Sequence, residues 1–336
     1  MTILKTGLIG CGKFANKHLA NLVSLPDKFE MVAFCDVMEE NASQYNDKYA
    51  GGKAGVFTDF HEMFHQVPEL DLALICLPPF AHTDEVEVAA ENGTHILIEK
   101  PIALTSEHAW RMVAAVEKAG VKSQVGFMFR FGLAVEKLKS MVLDGTAGQV
   151  GLMSTRYFCN ALHAPWWRMR EKSGGQITEQ VIHMVDLMRY LMGDPVTVFS
   201  IQNNLFHQMI ENYTIEDTSG TVMEFKNGGI GVIFASNNAI PGKWINDYHV
   251  VTSKLTAEFT DANNACFTYT AETELRKEAI SSHDNLYLRE LLDLYQAITS
   301  NTSTRTPIRE GARSLDLALA ISKSASTKLP VMLRQL

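Results

Sequence analysis

The sequence predicts a two-domain α/β protein: a doubly wound parallel sheet first, then an α+β domain with a large, mainly antiparallel, open-faced sheet. Its 336 residues exceed what one domain usually holds. The first third alternates short apolar runs with helix-length stretches, whereas the chain after about residue 125 carries several short strand patterns in succession. We place the first domain at residues 1–123 and the second at residues 124–336.

Four continuous apolar runs predict the strands of the first domain, at residues 6–9, 31–35, 72–77 and 95–98. Runs of this kind have no polar face, so both faces must be covered, as in a parallel sheet. The predicted helices are at residues 14–25, 83–92 and 106–119. The last two stop at Gly93 and Gly120, and glycine commonly follows the end of a helix. Right-handed crossovers through helices then connect the strands.

The second domain mixes helices with many short strands. Its predicted helices are at residues 136–143, 178–191, 284–299 and 308–324. Its predicted strands are at residues 150–158, 196–203, 218–225, 230–235, 248–252 and 255–259. Asn227-Gly228, between two of these strands, is typical of a hairpin turn. This order predicts a mostly antiparallel sheet with helices on one face.

The composition excludes several classes of protein. A net charge of −8 and a pI near 5.8 argue against a nucleic-acid or anionic-membrane partner. The five cysteines are scattered without a C-x-x-C pair, so neither a disulfide framework nor a zinc cluster is indicated. The N-terminus lacks the apolar region of a signal peptide, and no apolar run reaches the roughly 18 residues that span a bilayer. We expect a cytoplasmic protein.

A glycine-rich turn, Gly10-x-Gly12-x-x-Ala15, follows the first predicted strand and opens the first helix. Gly10 permits the tight turn, Gly12 lets the backbone approach a pyrophosphate, and Ala15 allows close packing of helix on strand. The helix N-terminus then offers N–H groups to the phosphates. The second strand ends on Asp36, whose carboxylate would bind ribose hydroxyls and repel a 2′-phosphate. We therefore expect a Rossmann fold that binds NAD rather than NADP, unless Asp36 only caps the following helix.

Two more segments follow strands of the same sheet: residues 77–79 (Leu-Pro-Pro) and 99–101 (Glu-Lys-Pro). Ligands of open α/β sheets bind beyond the carboxyl ends of the strands, so Lys100 is expected to project towards the nicotinamide. Pro101 restricts the backbone of Lys100, which weakens the alternative of a solvated lysine. The predicted cofactor-binding residues are Gly10, Gly12, Lys13, Phe14, Ala15, Asp36, Leu77, Pro78, Pro79, His82, Glu99 and Lys100.

The helix at residues 178–191 carries a polar stripe of Glu179, His183, Asp186 and Tyr190 at spacings of four, three and four. These spacings place all four on one face of a helix that is otherwise apolar. A histidine beside a carboxylate suits a general base. The alternative is a structural Glu–His–Asp network. No second histidine lies at helical spacing from His183, so we expect no metal site.

Taken together, these segments resemble the Gfo/Idh/MocA family, the relatives of glucose–fructose oxidoreductase and inositol dehydrogenase. The resemblance runs from residue 3 to about residue 326. The segments that carry it are GLIGCGKFA at 7–15, DLALICLPPFAH at 71–82, IEKPIALT at 98–105, VGFMFRF at 125–131 and SGGQITEQVIHMVDLMRYLMG at 173–193. Glu-Lys-Pro after a Rossmann strand, combined with the later Gly-Gly and His-x-x-Asp, is a specific combination.

The resemblance implies roles for three predicted catalytic residues, Lys100, His183 and Glu179. Lys100 matches the family's catalytic lysine, which contacts the reacting hydroxyl and the nicotinamide, and His183 matches the usual acid/base. Glu179 stands where many members have a shorter aspartate. Members often have a cis peptide in the Glu-Lys-Pro segment. Many associate through the open face of the second sheet, so we expect a homodimer or homotetramer.

The segment at residues 157–173, YFCNALHAPWWRMREKS, predicts the substrate contacts. Aromatic faces stack on sugar rings, and the polar side chains can bind hydroxyls or a carboxylate. Alternatively, the tryptophans only pack the loop on the sheet, and Arg130 is a structural ion-pair partner. The predicted substrate-binding residues are Arg130, Asn160, His163, Trp167, Arg168, Glu179 and His183.

The sequence favours an NAD-dependent dehydrogenase that acts on a secondary alcohol of a sugar, polyol or inositol-like substrate. A second interpretation is an NAD-dependent glycosidase or lyase that recycles its cofactor without net release of NADH. A third is a non-catalytic NAD-binding regulator.

Overall fold

The computed structural model describes residues 2–333. Their contacts divide the chain into two units. Unit 1 contains residues up to 127 together with 285–312, and unit 2 contains residues 128–284 together with those from 313 onwards. Within residues 2–333, none of the helices combines the length and the apolar character needed to cross a membrane.

Unit 1 is built on a six-stranded parallel sheet with the order β3-β2-β1-β4-β5-β6. Its strands are β1 (Leu4–Ile9), β2 (Phe29–Cys35), β3 (Gly55–Phe57), β4 (Leu72–Ile75), β5 (His95–Ile98) and β6 (Ser123–Val125). Its first helices are α1 (Ala15–Leu22), α2 (Glu39–Ala50), α3 (Phe60–Gln66), α4 (Glu85–Glu91) and α5 (Ser106–Ala119). The predicted doubly wound sheet is confirmed. Every residue of β4 is buried, which explains its unbroken apolar sequence.

Unit 2 contains a nine-stranded sheet with the order β14-β13-β12-β11-β7-β10-β9-β8-β15, in which β15 is Val331–Met332. Its first strands are β7 (Val150–Phe158), β8 (Pro195–Asn203), β9 (Thr218–Phe225), β10 (Ile230–Ser236), β11 (Tyr248–Thr252), β12 (Leu255–Phe259), β13 (Ala265–Tyr269) and β14 (Arg276–Ile280). The helices before and between them are α6 (Leu133–Leu143), α7 (Arg170–Ser173) and α8 (Ile182–Met192). Only the pair β7–β10 is parallel among these strands, so the predicted mainly antiparallel sheet is confirmed.

Local signals explain two features of the second sheet. The predicted Asn-Gly hairpin joins β9 to β10, and Gly228 has the positive φ of 80° that such a turn requires. Burial alternates along β9, which leaves apolar side chains on one exposed face of the sheet. These include Ile201, Val222 and Phe234, which are 49%, 49% and 40% exposed.

The chain closes with α9 (Leu286–Ser300), α10 (Ile308–Thr327) and β15 (Val331–Met332), which pairs with β8. We predicted residues 285–312 to belong to the second domain, whereas their contacts lie in unit 1. The reason is that Leu291 and Leu294 of α9 pack into the same apolar core as Leu4 and Leu8 of β1. A periodic sequence predicts that a helix is amphipathic, but not which sheet covers its apolar face.

Candidate active site

The glycine loop has the conformation that the motif predicts. Gly10 has a φ of +92°, and a Cβ atom there would lie 2.6 Å from the carbonyl oxygen of Cys76, so only glycine fits. Gly12 is exposed, and nothing lies within 4 Å of where its Cβ would be. Ala15 is fully buried at the start of α1, and no side chain caps this helix N-terminus. An open approach to uncapped N–H groups fits a pyrophosphate.

Asp36 lies at the end of β2 and is hydrogen-bonded to the glycine loop. Its Oδ2 accepts from the Cys11 N–H at 2.8 Å, and its Oδ1 accepts from the Met38 N–H at 2.9 Å and from Asn41 Nδ2 at 3.1 Å. The capping alternative is therefore realised in the turn before α2. A carboxylate has about four acceptor sites, so these three bonds still leave capacity for a ribose hydroxyl.

The carboxyl ends of β1 and β4 meet at the loop, since Leu77 Cδ2 lies 3.0 Å from the Cβ position of Gly10. Pro78 precedes a short 3-10 turn, Pro79–Ala81. His82 follows this turn, and its Nδ1 lies 2.5 Å from Glu85 Oε1 with both side chains fully buried. Burial alone would raise the pKa of Glu85, but hydrogen bonds from His82 and Thr83 lower it below its ordinary value. His82 therefore acts structurally here, and its predicted contact with the cofactor stays a prediction.

Lys100 follows β5 at the same edge of the sheet. Its side chain is half-buried, and the Lys100–Pro101 peptide is cis. The Lys100 N–H donates to Glu99 Oε2 at 3.2 Å. The side chain of Glu99 thus helps to fix the backbone from which Lys100 projects.

Glu99 has a partner that the sequence did not reveal. His18 Nε2 lies 2.5 Å from Glu99 Oε1, and both side chains are buried. The His18 ring makes edge contacts with the rings of Phe14, at 5.9 Å, and Tyr287, at 5.5 Å. This pair joins α1 to the end of β5. Glu99 lies 81 residues after His18, so no spacing rule could have found it.

In unit 2, Glu179 and His183 lie one turn apart at the start of the polar helix. The predicted helix begins as a π-helix, Ile177–Val181, before α8. Glu179 Oε2 accepts from Trp167 Nε1 at 2.6 Å. His183 is buried, with its ring 5.2 Å from that of Phe129. Single π turns occur frequently at functional sites.

Asp186 and Arg130 form a buried ion pair, so the structural alternative for Arg130 is supported. Arg130 Nε and Nη2 donate to the two carboxylate oxygens of Asp186 at 2.8 and 2.6 Å. Their side chains are 3% and 1% exposed. Ser314 Oγ adds a third hydrogen bond to Asp186 at 3.0 Å. A substrate-binding role for Arg130 stays a prediction.

The segment at 157–173 gathers several predicted substrate contacts. Trp167 is 2% exposed and packs on Tyr213 and Ile215, so its ring belongs to an apolar cluster as the packing alternative proposes. The His163 ring lies 4.3 Å from that of Trp167, and its Nε2 lies 2.9 Å from Gln180 Nε2. His163 has a φ of 52°, in the left-handed region that few residues other than glycine adopt.

Arg168 and Asn160, two further predicted substrate contacts of this segment, donate hydrogen bonds to backbone carbonyls. Arg168 donates to the carbonyls of Leu162 and His163 at 2.8 and 3.2 Å, and Asn160 Nδ2 donates to the carbonyl of Ala239 at 3.0 Å. Trp244, which we did not predict, is half-exposed with its ring 6.1 Å from that of His163. It lies 81 residues further along the chain, outside any motif. The predicted cofactor-binding residues thus lie in unit 1, and the predicted substrate-binding residues lie in unit 2.

Two family models match this chain. The model described as "Oxidoreductase family, NAD-binding Rossmann fold" matches residues 4–127, and the model described as "GFO/IDH/MocA C-terminal domain" matches residues 135–258. The levoglucosan dehydrogenase structure in complex with NADH has a TM-score of 0.90 over 100% of both chains at 20% identity, a likeness that shows the fold.

Curated relatives extend the comparison. Myo-inositol 2-dehydrogenase from Thermotoga maritima is 28% identical over 338 residues, 99% of each chain. The scyllo-inositol 2-dehydrogenase (NAD(+)) from Bacillus subtilis is 31% identical over 241 residues, 70% of this chain and 68% of the relative. The conformation of the glycine loop at the end of β1 and the open approach to α1 fit the NAD-binding domain that the first family model describes. The chain belongs to the GFO/IDH/MocA family of oxidoreductases and carries its NAD-binding Rossmann domain.

Proposed function

We propose that this protein is an NAD-dependent dehydrogenase that oxidises a secondary alcohol of a sugar, polyol or inositol-like substrate. The observation that carries the proposal is the position of Lys100, two residues after the end of β5 at the carboxyl edge of the NAD-binding sheet. Ligands of such sheets bind at this edge. A half-buried lysine there, with its backbone held by Glu99, suits a group that acts on substrate rather than a solvated surface charge.

The class of substrate is supported by the names of the relatives and by the side chains of unit 2. The relatives are named for inositols, and a third, from Escherichia coli, is named D-glucoside 3-dehydrogenase and is 29% identical over 243 residues. His163 and the half-exposed Trp244 offer a polar group beside an aromatic face. Rings with many hydroxyls bind well to such combinations.

The proposed mechanism divides the work between Lys100 and His183. NAD, held by the glycine loop and Asp36, would supply the hydride acceptor. Lys100 Nζ donates a hydrogen bond to the reacting oxygen and stabilises the negative charge that develops there. His183 accepts the hydroxyl proton, directly or through Lys100. Glu179 orients the substrate, while the indole N–H of Trp167 holds its carboxylate in place.

Replacing Lys100 with Met tests this proposal. The substitution keeps an unbranched side chain, one atom shorter, but removes the donor, so we expect turnover to fall by about 10²- to 10⁴-fold. NADH binding, measured by fluorescence titration, should stay nearly unchanged. The matched control is Lys118→Met on the exposed end of α5. Turnover by the Lys100 variant at the rate of the control would refute the role of Lys100.

A screen of inositols, aldoses and glucosides with NAD then identifies the substrate class and tests the alternatives. Net release of NADH supports the dehydrogenase, whereas turnover of a glycoside without net NADH would favour the cofactor-recycling glycosidase or lyase. Tight NADH binding with no turnover of any substrate would favour the non-catalytic regulator. The named relatives are dehydrogenases, which gives neither alternative support. The homodimer or homotetramer and the cytoplasmic location remain predictions from the sequence.

A further inference from the structure

A set of side chains on α1 and α2 holds two successive carbonyls of the glycine loop. Tyr45 Oη donates to the carbonyl oxygen of Gly12 at 2.7 Å. Asn16 Nδ2 donates to the carbonyl oxygen of Lys13 at 3.1 Å and to Tyr45 Oη at 2.5 Å. Each of these loop carbonyls therefore has a side-chain donor, and Asn16 links the two donors.

The amide of Asn16 is itself fixed in orientation. Its Oδ1 accepts from Tyr49 Oη at 2.6 Å and from Lys48 Nζ at 2.8 Å. The two donor and two acceptor positions of this amide are thus all used, which leaves one favourable orientation. Burial raises the pKa of Tyr45 to about 12, so its phenol keeps its proton and donates it at neutral pH.

Holding these carbonyls determines where the next N–H groups point. A trans peptide is planar, with its C=O and N–H on opposite sides. When Tyr45 draws the Gly12 carbonyl towards α2, the Lys13 N–H must point away from α2. The bond from Asn16 to the Lys13 carbonyl directs the Phe14 N–H in the same way. Both N–H groups precede α1, whose N-terminus has no side-chain cap.

We propose that Tyr45 and Asn16 are positioning residues for the cofactor, which orient the Lys13 and Phe14 N–H groups towards the pyrophosphate of NAD. The glycine motif alone gives the loop its freedom to approach phosphates, but not a fixed direction for its N–H groups. The hydrogen bonds from Tyr45 and Asn16 supply that direction before binding, which lowers the cost of ordering the loop when the cofactor arrives. The proposal rests on the NAD-binding domain that the family assigns.

The test is the affinity of the Tyr45→Phe variant for NADH, measured by fluorescence titration. The substitution keeps the ring and removes one donor, so we expect the Kd for NADH to rise by about 3- to 10-fold. Tyr295→Phe is the matched control, because Tyr295 Oη also donates to a backbone carbonyl in unit 1, that of Thr2, at 2.9 Å. Thermal unfolding of both variants separates a loss of stability from a loss of affinity.

Two further measurements locate the effect. ADP-ribose contains the pyrophosphate but not the nicotinamide. Its affinity for Tyr45→Phe, measured by competition with NADH, should therefore fall by the same factor as that of NADH. Asn16→Ala should also raise the Kd for NADH. In the double variant the Kd should rise by less than the product of the two single increases, since the two side chains share a hydrogen bond. An unchanged Kd in Tyr45→Phe would overturn the inference. Failure of the unsubstituted protein to bind NADH would instead overturn the cofactor itself.

Discussion

Glu290 provides the sharpest test of the electrostatics of unit 1. Its side chain on α9 is completely buried, and within residues 2–333 neither carboxylate oxygen has a hydrogen-bond partner. Burial raises the pKa of Glu290 well above its ordinary value, and the nearby charges of Glu99 and Asp293 raise it further. We therefore expect Glu290 to be a neutral carboxylic acid in the folded protein at neutral pH.

The neutral acid makes stability depend on pH in a defined direction. The folded protein holds a proton on Glu290 that the unfolded chain releases above about pH 4.5. This contribution to stability is fully present below the unfolded pKa and is lost as the pH rises towards the folded pKa. For one proton, stability falls by up to about 1.4 kcal/mol per pH unit wherever the folded protein holds the proton and the unfolded chain has released it.

Glu290→Gln removes that dependence because the amide is neutral at every pH and has nearly the same shape. The free energies of unfolding, measured in urea at pH 6, 7 and 8, should therefore diverge: as the pH rises, the stability of the variant relative to the unsubstituted protein should increase, by up to about 3 kcal/mol over this range. Other groups that face Glu290, including Glu99, Asp293 and Tyr287, are present in both proteins, so their contributions largely cancel.

The control is Glu91→Gln, at an exposed position of α4 in the same unit. Its free energy of unfolding should change with pH in the same way as that of the unsubstituted protein. A constant difference between the Glu290 variant and the unsubstituted protein from pH 6 to pH 8 would mean that Glu290 is ionised in the folded state. The reasoning from its burial would then be refuted.

Two further substitutions test the ion pair and the glycine loop. Arg130→Met leaves Asp186 buried without its charged partner and should lower the free energy of unfolding in urea by about 3–5 kcal/mol. Adding Asp186→Leu should restore much of this stability. A decrease below about 1 kcal/mol in Arg130→Met would contradict the burial of the pair. Gly10→Ala forces a methyl group against the Cys76 carbonyl and should raise the Kd for NADH by about tenfold or more. The control is Gly51→Ala, where φ is also positive but the space is open, so this substitution should lower only the stability.

The sequence predicted the framework of both sheets because the signals for strands and turns are local. The apolar runs of β4 and β5 reflect burial on both faces, and Asn227-Gly228 marks its hairpin directly. The sequence patterns define no bounds for a helix or strand between residues 37 and 71. There, α2 buries only Ala42 and Asn46, and β3 has three residues, so neither produces a clear apolar period.

The candidate site shows the same division between local and distant information. The motifs identified Lys100, Asp36 and His183, whose positions relative to strands and helices are set within a few residues. The π-helix before α8 was not predicted, because its sequence satisfies the periodicity of an α-helix equally well.

Two carboxylates next to these motif residues, Glu99 and Asp186, have hydrogen-bond partners from remote segments of the chain. Glu99 is held by His18, 81 residues away, and Asp186 by Arg130, 56 residues away. Asp186 shows the consequence most clearly: its spacing from His183 indicated a shared polar face, yet Arg130 takes both of its oxygens. A buried charge must be paired, and the partner is whichever segment the fold brings near. Spacing along a helix therefore identifies candidates for chemistry, whereas the tertiary pairing decides which of them remain available for it.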